Sequence, residues 1–482
     1  MALRSIDLFV IIAYLTGITL LGAHFRKKQR SLSDYFLGGH RLPWWALALS
    51  VVSAETSILT IISTPGIAYR SNLTFLQLVL GYLVARVVVS FILLPRYFAG
   101  EIFTAYQFVE HRFGRNLKVL TATLFLSTRV LAEGVRVFAI SIVVGVVFRT
   151  GILAAVVAVT LLTVFYTFEG GLTAVIWTDV VQFTIYLAGT AIALLAALHA
   201  VSGGWSGVSD VATLAGDKLR VFDFHFNWHE PYLFWSGLVG GTFLTSASHG
   251  TDQLIVQRLL AARDKRSSQA ALLSSGLVIL GQFSLFLVVG VVLFAYYRQF
   301  PPTRPFDQPD QIFPTFIVHV LPAGLAGLLT AAIVGAGMAN LSAALNSLAS
   351  SSVVDFYKPF FRPQAEERHY LAVSRGLTLI WGAVLIGTAL LASRLHASVL
   401  ELALTIASVP YGSMLGIFLL GALTRRTTAT GAFLGALAGL VTLVVVMLLT
   451  KVAWTWYVAI GTSMTFIAGW AMSLAGTKRP AG

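Results

Sequence analysis

Apolar segments of about 20 residues, each long enough to cross a bilayer as a helix, follow one another along this sequence. Thirteen such spans can be marked: 7–24, 45–69, 74–98, 118–147, 151–168, 172–200, 231–257, 270–296, 324–352, 371–393, 399–423, 428–450 and 452–474. Polar backbone cannot face lipid unsatisfied, so apolar segments of this length are expected to be helical. Only two connections are long, 201–230 and 297–323. With no linker breaking the pattern, the expected fold class is an all-α polytopic membrane protein forming one transmembrane domain over 1–482. Segment 7–24 reads as the first span rather than a cleavable leader, because no charged stretch precedes it and no small-residue cleavage site follows.

Composition closes off the alternatives. Of 482 residues 57% are hydrophobic and 11% charged, against about a quarter charged in soluble domains. There is no cysteine, which excludes disulfides and thiolate chemistry. The net charge of +13 comes from Lys and Arg in short loops, where they set topology and offer no basic face for nucleic acid. With the N-terminus outside, 21 Lys and Arg fall on the cytoplasmic side and 9 outside. The expected orientation in the cell membrane is therefore N-terminus out, C-terminus in. No ATP-binding loop and no metal-ligand motif occurs, so neither a pump nor an enzyme is expected.

Ionisable residues inside spans are the functional candidates, since each is costly there unless paired or hydrated. Basic ones are Arg86, Arg129 and Arg136, and acidic ones are Glu55, Glu133 and Asp179. Arg129, Glu133 and Arg136 lie on one face of span 4. They either neutralise that helix or place a charge on the substrate pathway. Span 2 carries Ser50, Ser53, Glu55, Thr56 and Ser57 at mid-depth, followed by Thr64, Pro65 and Gly66, which weaken a helix. A break there would free carbonyls suited to sodium. Span 9, dense in small and hydroxyl residues, reads either as a matching ion site or as close helix packing.

Five stretches resemble the sodium:solute symporter family: "DYFLGGHRLPWW", "FVEHRFG", "EGGLTAVIWTDVVQ", "TDQLIVQRLLAARD" and "LNSLASSSVVDFYKP". The resemblance implies the leucine-transporter fold, with inverted five-helix repeats at spans 2–6 (45–200) and 7–11 (231–423). Residues 1–44 and 428–474 would be peripheral, and spans 2 and 7 broken around a midplane solute site. The implied activity is cation-coupled symport of a small solute, with sodium as coupling ion and no other cofactor.

The resemblance puts sodium-site carbonyls at Ser53, Thr56 and Ala336, and hydroxyls at the positions of Ala339 and Asn340. Neither residue has a hydroxyl, although Asn340 could lend its amide oxygen. A second sodium site would use Asp179 and Ser342, with Ala343 in place of a further hydroxyl. Glu55, between the two span 2 carbonyls, could ligate sodium, carry a proton or pair with Arg136. Before the "TDQ" motif stand Ser246, Ser248 and His249, with no aromatic gate of the sugar-carrier kind. His249 is either a pore residue or a packing residue. Arg136 would suit an anionic solute unless Glu133 or Glu55 neutralises it. The missing hydroxyls keep an uncoupled facilitator and a proton-coupled carrier open.

Overall fold

In the computed structural model, residues 4–476 are described except 25–31, 101, 149, 303–304, 307–308 and 394–398. They are overwhelmingly helical, and no strand occurs among them. Eight helices are long and apolar enough to cross a membrane, and one bent pair makes nine. The remaining sequence spans are helical too. Span 4 (Arg115–Phe148) carries the charged cluster, and span 7 is broken. The apolar parts of spans 5 and 11 among the searched residues are shorter, Ile152–Phe165 and Ala407–Leu423.

Several boundaries move for local reasons. Spans 5 and 6 run on as Ile152–Ala200, divided only by Gly171, whose φ of 56° an L side chain rarely adopts. Span 8 lengthens to Lys265–Gln299, its first turn capped by the Asp264 carboxylate accepting from Ser267 N. Span 9 (Leu325–Ser351) continues through a π-helical turn to Phe360. The two long connections contain helices of their own, Gly204–Leu214 and Ile312–Val320.

Span 2 is broken, though not at Pro65–Gly66, which lie inside its second half. Helix Trp44–Glu55 ends where Thr56 and Ser57 turn extended, and Ile58–Arg70 then restarts. The axes bend by 62°. Ser57 decides the place: its hydroxyl accepts from Thr60 N at 3.3 Å, and Thr60 Oγ1 accepts from Ser57 N at 3.3 Å. This reciprocal cap starts a new helix. At the far end, Lys218 Nζ donates to the Tyr69 carbonyl at 2.5 Å, holding the long connection against the helix C-terminus.

Span 7 breaks as expected, at the "TDQ" motif. Phe234–Gly250 and Gln253–Leu260 flank Thr251 and Asp252, and Asp252 Oδ1 accepts from Leu254 N at 2.9 Å. Spans 3 (Leu76–Val88, running on to Tyr97) and 7 approach through glycines: a Cβ on Gly241 would lie 2.3 Å from Leu78 O. Among the long apolar helices of the described residues span 9 is the most enclosed, with 94% of its spanning window buried, as the centre of a bundle requires.

Candidate functional site

A cavity of about 1280 Å³, its open mouth included, sits where the broken helices face each other. Glu55, Ser57, Arg129, Arg136, Ser248 and His249 line its depth. Phe75, Tyr232 and Trp454, from the connections after spans 2, 6 and 12, line it as well. The aromatic walls are supplied by Phe75 at the start of span 3, Tyr82 within it, Phe283 of span 8 and Tyr411 of span 11. These aromatics carry no sequence signal, because no local pattern marks a residue that meets its neighbours only in three dimensions.

The buried charges form ion-pair groups: Arg129, Glu133 and Arg136 pair along one face of span 4 as the sequence suggested, while Glu55 finds a different partner. Glu55 pairs with Arg86 of span 3, not with Arg136, and His249 Nε2 stands 3.6 Å from the same carboxylate oxygen. The His249 ring is 1% exposed, with Nδ1 against Ser248 Oγ at 2.9 Å, so this histidine is packed in the cavity wall. Arg86 donates further to Ser275 Oγ and Tyr82 O, which fixes the guanidinium in place.

Glu133 Oε1 accepts from Arg129 at 2.9 Å and Arg136 at 2.5 Å. Arg129 also pairs with Asp252 at the break in span 7, and Tyr411 OH donates to Asp252 at 2.5 Å. Arg136 remains 23% exposed within this group. Asp252 is a functional residue the sequence reading missed. It lies within span 7 and was not counted among the intramembrane acids.

Asp179 Oδ2 accepts from Ser50 Oγ at 2.5 Å and Arg258 at 2.9 Å. Arg258, placed by the sequence among the cytoplasmic loop charges, is instead 1% exposed. Each lone charge would be prohibitive here. Four arginines and four carboxylates leave these groups neutral together.

The expected sodium-site positions converge. Asn340 Nδ2 donates to Thr56 O at 2.6 Å and Ala336 O at 3.1 Å, and Ser53 O lies at 3.5 Å. Ser53 and Thr56 belong to the broken end of a helix, where carbonyls lack intrahelical partners. Thr56 is steadied through its hydroxyl, which accepts from Gln282 Nε2 at 2.7 Å. Glu55 stands apart from this cage, its carboxylate held by Arg86 and His249. Ser342 is buried on the same helix. The three carbonyls are hard oxygen donors of the kind that suit an alkali or alkaline-earth cation.

The sodium:solute symporter family model matches residues 35–439. The human sodium/iodide cotransporter is 31% identical over 438 residues, 88% of this chain and 66% of its own. The sodium/sialic acid symporter of Aliivibrio fischeri is 28% identical over 97% of this chain and 92% of its own. The human sodium-coupled monocarboxylate transporter 1 is 30% identical over 85% and 67%. The chain thus spans about two thirds of the human relatives' length.

Among solved structures, a substrate-bound, outward-open Na⁺-coupled sialic acid symporter superposes with a TM-score of 0.90 at 25% identity, covering 98% of both chains. Mhp1, a nucleobase-cation-symport-1 transporter in a closed conformation, reaches 0.53 at 13% identity, covering 92% of this chain and 95% of its own, which speaks to fold alone. The fold is that of the leucine-transporter class.

Proposed function

Because the chain belongs to the sodium:solute symporter family, a family of transporters and not of enzymes, we propose that it carries a small anionic organic solute together with sodium by alternating access. The observation that carries this reading is the adjacency of two sites. A solute-sized cavity lies at the breaks of spans 2 and 7, and three carbonyls converge beside it at the same break. An ion bound at Ser53 O, Thr56 O and Ala336 O ties span 2 to span 9, so its presence biases how those helices sit around the cavity.

Arg136 supports an anionic solute. It lines the cavity with part of its side chain exposed, and Glu133 engages it through Nη1. The relatives are named for iodide, monocarboxylates and sialic acid, all anions at neutral pH. Ser248 contributes a hydroxyl to the same wall, while Glu55 and His249 act as positioning residues held by Arg86. Asp179 with Ser342 is a second ion locus. Asp179 keeps Oδ1 without a hydrogen-bond partner, but the Arg258 charge beside it weakens attraction for a cation, leaving the carbonyl cage as the main site. The repeats are assigned to 45–200 and 231–423, and the termini to N-outside and C-inside in the cell membrane.

Uptake into proteoliposomes tests the reading, with acetate, pyruvate and N-acetylneuraminate as probes. An inward sodium gradient should drive accumulation of at least one, and a potassium gradient should not. Glu133→Gln/Arg136→Gln, which removes both members of a pair, should remain folded and lose at least tenfold of the uptake, about 1.4 kcal/mol. Equal uptake under both gradients would instead favour the facilitator or proton-coupled carrier, the second reading, motivated by Ala339 and Asn340 at the hydroxyl positions.

A further inference from the structure

The carbonyl cage contains a donor of the protein's own. Ser53 O, Thr56 O and Ala336 O all point at one atom, Asn340 Nδ2. Three converging carbonyl oxygens suit a cation or an N–H group, because each brings negative partial charge and lone pairs to the same point. The other amide atom, Asn340 Oδ1, is buried and has no hydrogen-bond partner. The side chain is only 1% exposed, so water at the surface does not satisfy it.

The orientation of this amide is therefore unusually sensitive to what fills the cage. With Nδ2 inward, the carbonyls are satisfied and Oδ1 is stranded. With the amide turned by half a rotation, Oδ1 faces three other acceptors with no proton among them. That second arrangement is favourable only around a cation, which it would surround with four oxygens. A hydroxyl at this position would serve as ligand without placing an obligate N–H donor where the ion must sit.

We propose that the Asn340 amide is a built-in stand-in for the coupling ion. Nδ2 holds span 2 to span 9 when no ion is bound, and sodium enters by turning the side chain so that Oδ1 becomes a fourth ligand. The proposal rests on the reading of this cage as the sodium site. It adds a consequence that reading lacks. Sodium must displace an internal donor, so its apparent affinity is reduced by the fraction of molecules in the oxygen-inward orientation. It also means that spans 2 and 9 stay linked through the cage without sodium.

Sodium titration of the purified full-length protein tests this, with choline chloride holding ionic strength and the melting midpoint as readout. Asn340→Ser removes the obligate donor, and Asn340→Asp replaces it with an acceptor. Both should lower the half-saturating sodium concentration, by about tenfold if the donor-inward amide holds nine-tenths of the molecules. Melting in choline alone shows whether each variant is folded, and Asn340→Ser carries the test should Asn340→Asp not fold. Half-saturation unchanged or raised in a folded variant overturns the role of Asn340 and leaves sodium coupling standing. Absence of any sodium response in wild type and both variants overturns the cage as a sodium site, and this proposal with it.

Discussion

Glu55 and Arg86 hold each other where neither could stand alone. The arginine is 1% exposed and the carboxylate 15%, so the pair is mostly removed from water but not wholly. Replacing Arg86 by Gln leaves a carboxylate facing an apolar cavity wall and His249. The expected cost is about 3 kcal/mol, the lower end for a broken buried pair. Glu55→Gln/Arg86→Gln removes both charges and should recover most of that loss. Melting midpoints of the three variants in detergent check this, and a double variant as unstable as Arg86→Gln would show that the two residues do not act as a pair. The sequence showed Glu55 as a buried acid needing a partner, yet it could not say which. Arg86 lies 31 positions away, and the choice between it and Arg136 is made by how span 3 packs. Arg258 was misplaced for a similar reason. Hydropathy puts it at the end of a span, and only its meeting with Asp179, 79 positions earlier, makes it buried.

That spans 2 and 7 would break was implied by the family resemblance, and the structure shows which side chains make the breaks. Asp252 caps the second half of span 7 from within a motif that could be read directly. In span 2 the attention drawn by Pro65 and Gly66 was misplaced, because the cap at Ser57 and Thr60 starts a new helix a full two turns earlier. Pro65 is accommodated at close quarters: a Cβ on Gly290 of span 8 would lie 2.1 Å from its carbonyl oxygen. The three cage carbonyls have no side-chain signature at all, and only the family resemblance pointed to them. Packing between the broken helices and their neighbours depends on small residues. Gly241 of span 7 sits against Leu78 of span 3, and Gly81 against Leu238 O. Gly241→Val should push these helices apart at an overpacking cost of about 1–3 kcal/mol. Because span 7 walls the cavity, the variant should also lose transport beyond what its folded fraction accounts for. Uptake normalised to folded protein, set beside the melting midpoint, separates the two effects.

Three residues of the cavity lining, Phe75, Tyr232 and Trp454, come from the connections after spans 2, 6 and 12, which places those connections at one end of the cavity. The proposed orientation, N-terminus outside, makes every even-numbered connection external, so the cavity is expected to be reached from outside. The charge count along the loops and the position of the mouth are independent, and they can be tested together. The chain has no cysteine, so a single introduced thiol reports without background. Ser248 lines the cavity, and its hydroxyl bonds to Thr245 O and the His249 ring, which makes it a mild place for a substitution of similar size. Ser248→Cys in right-side-out vesicles should react with a membrane-impermeant thiol reagent added outside. In inside-out vesicles reaction should be slower, because the reagent must then wait for the inward-facing state. Sodium should change both rates in opposite directions, since an ion bridging spans 2 and 9 favours one arrangement of those helices over the other. Faster labelling from the cytoplasmic side without sodium would reverse the assignment of the mouth, and with it the orientation read from the loop charges. Rates unaffected by sodium from either side would mean that the carbonyl cage does not govern which way the cavity opens.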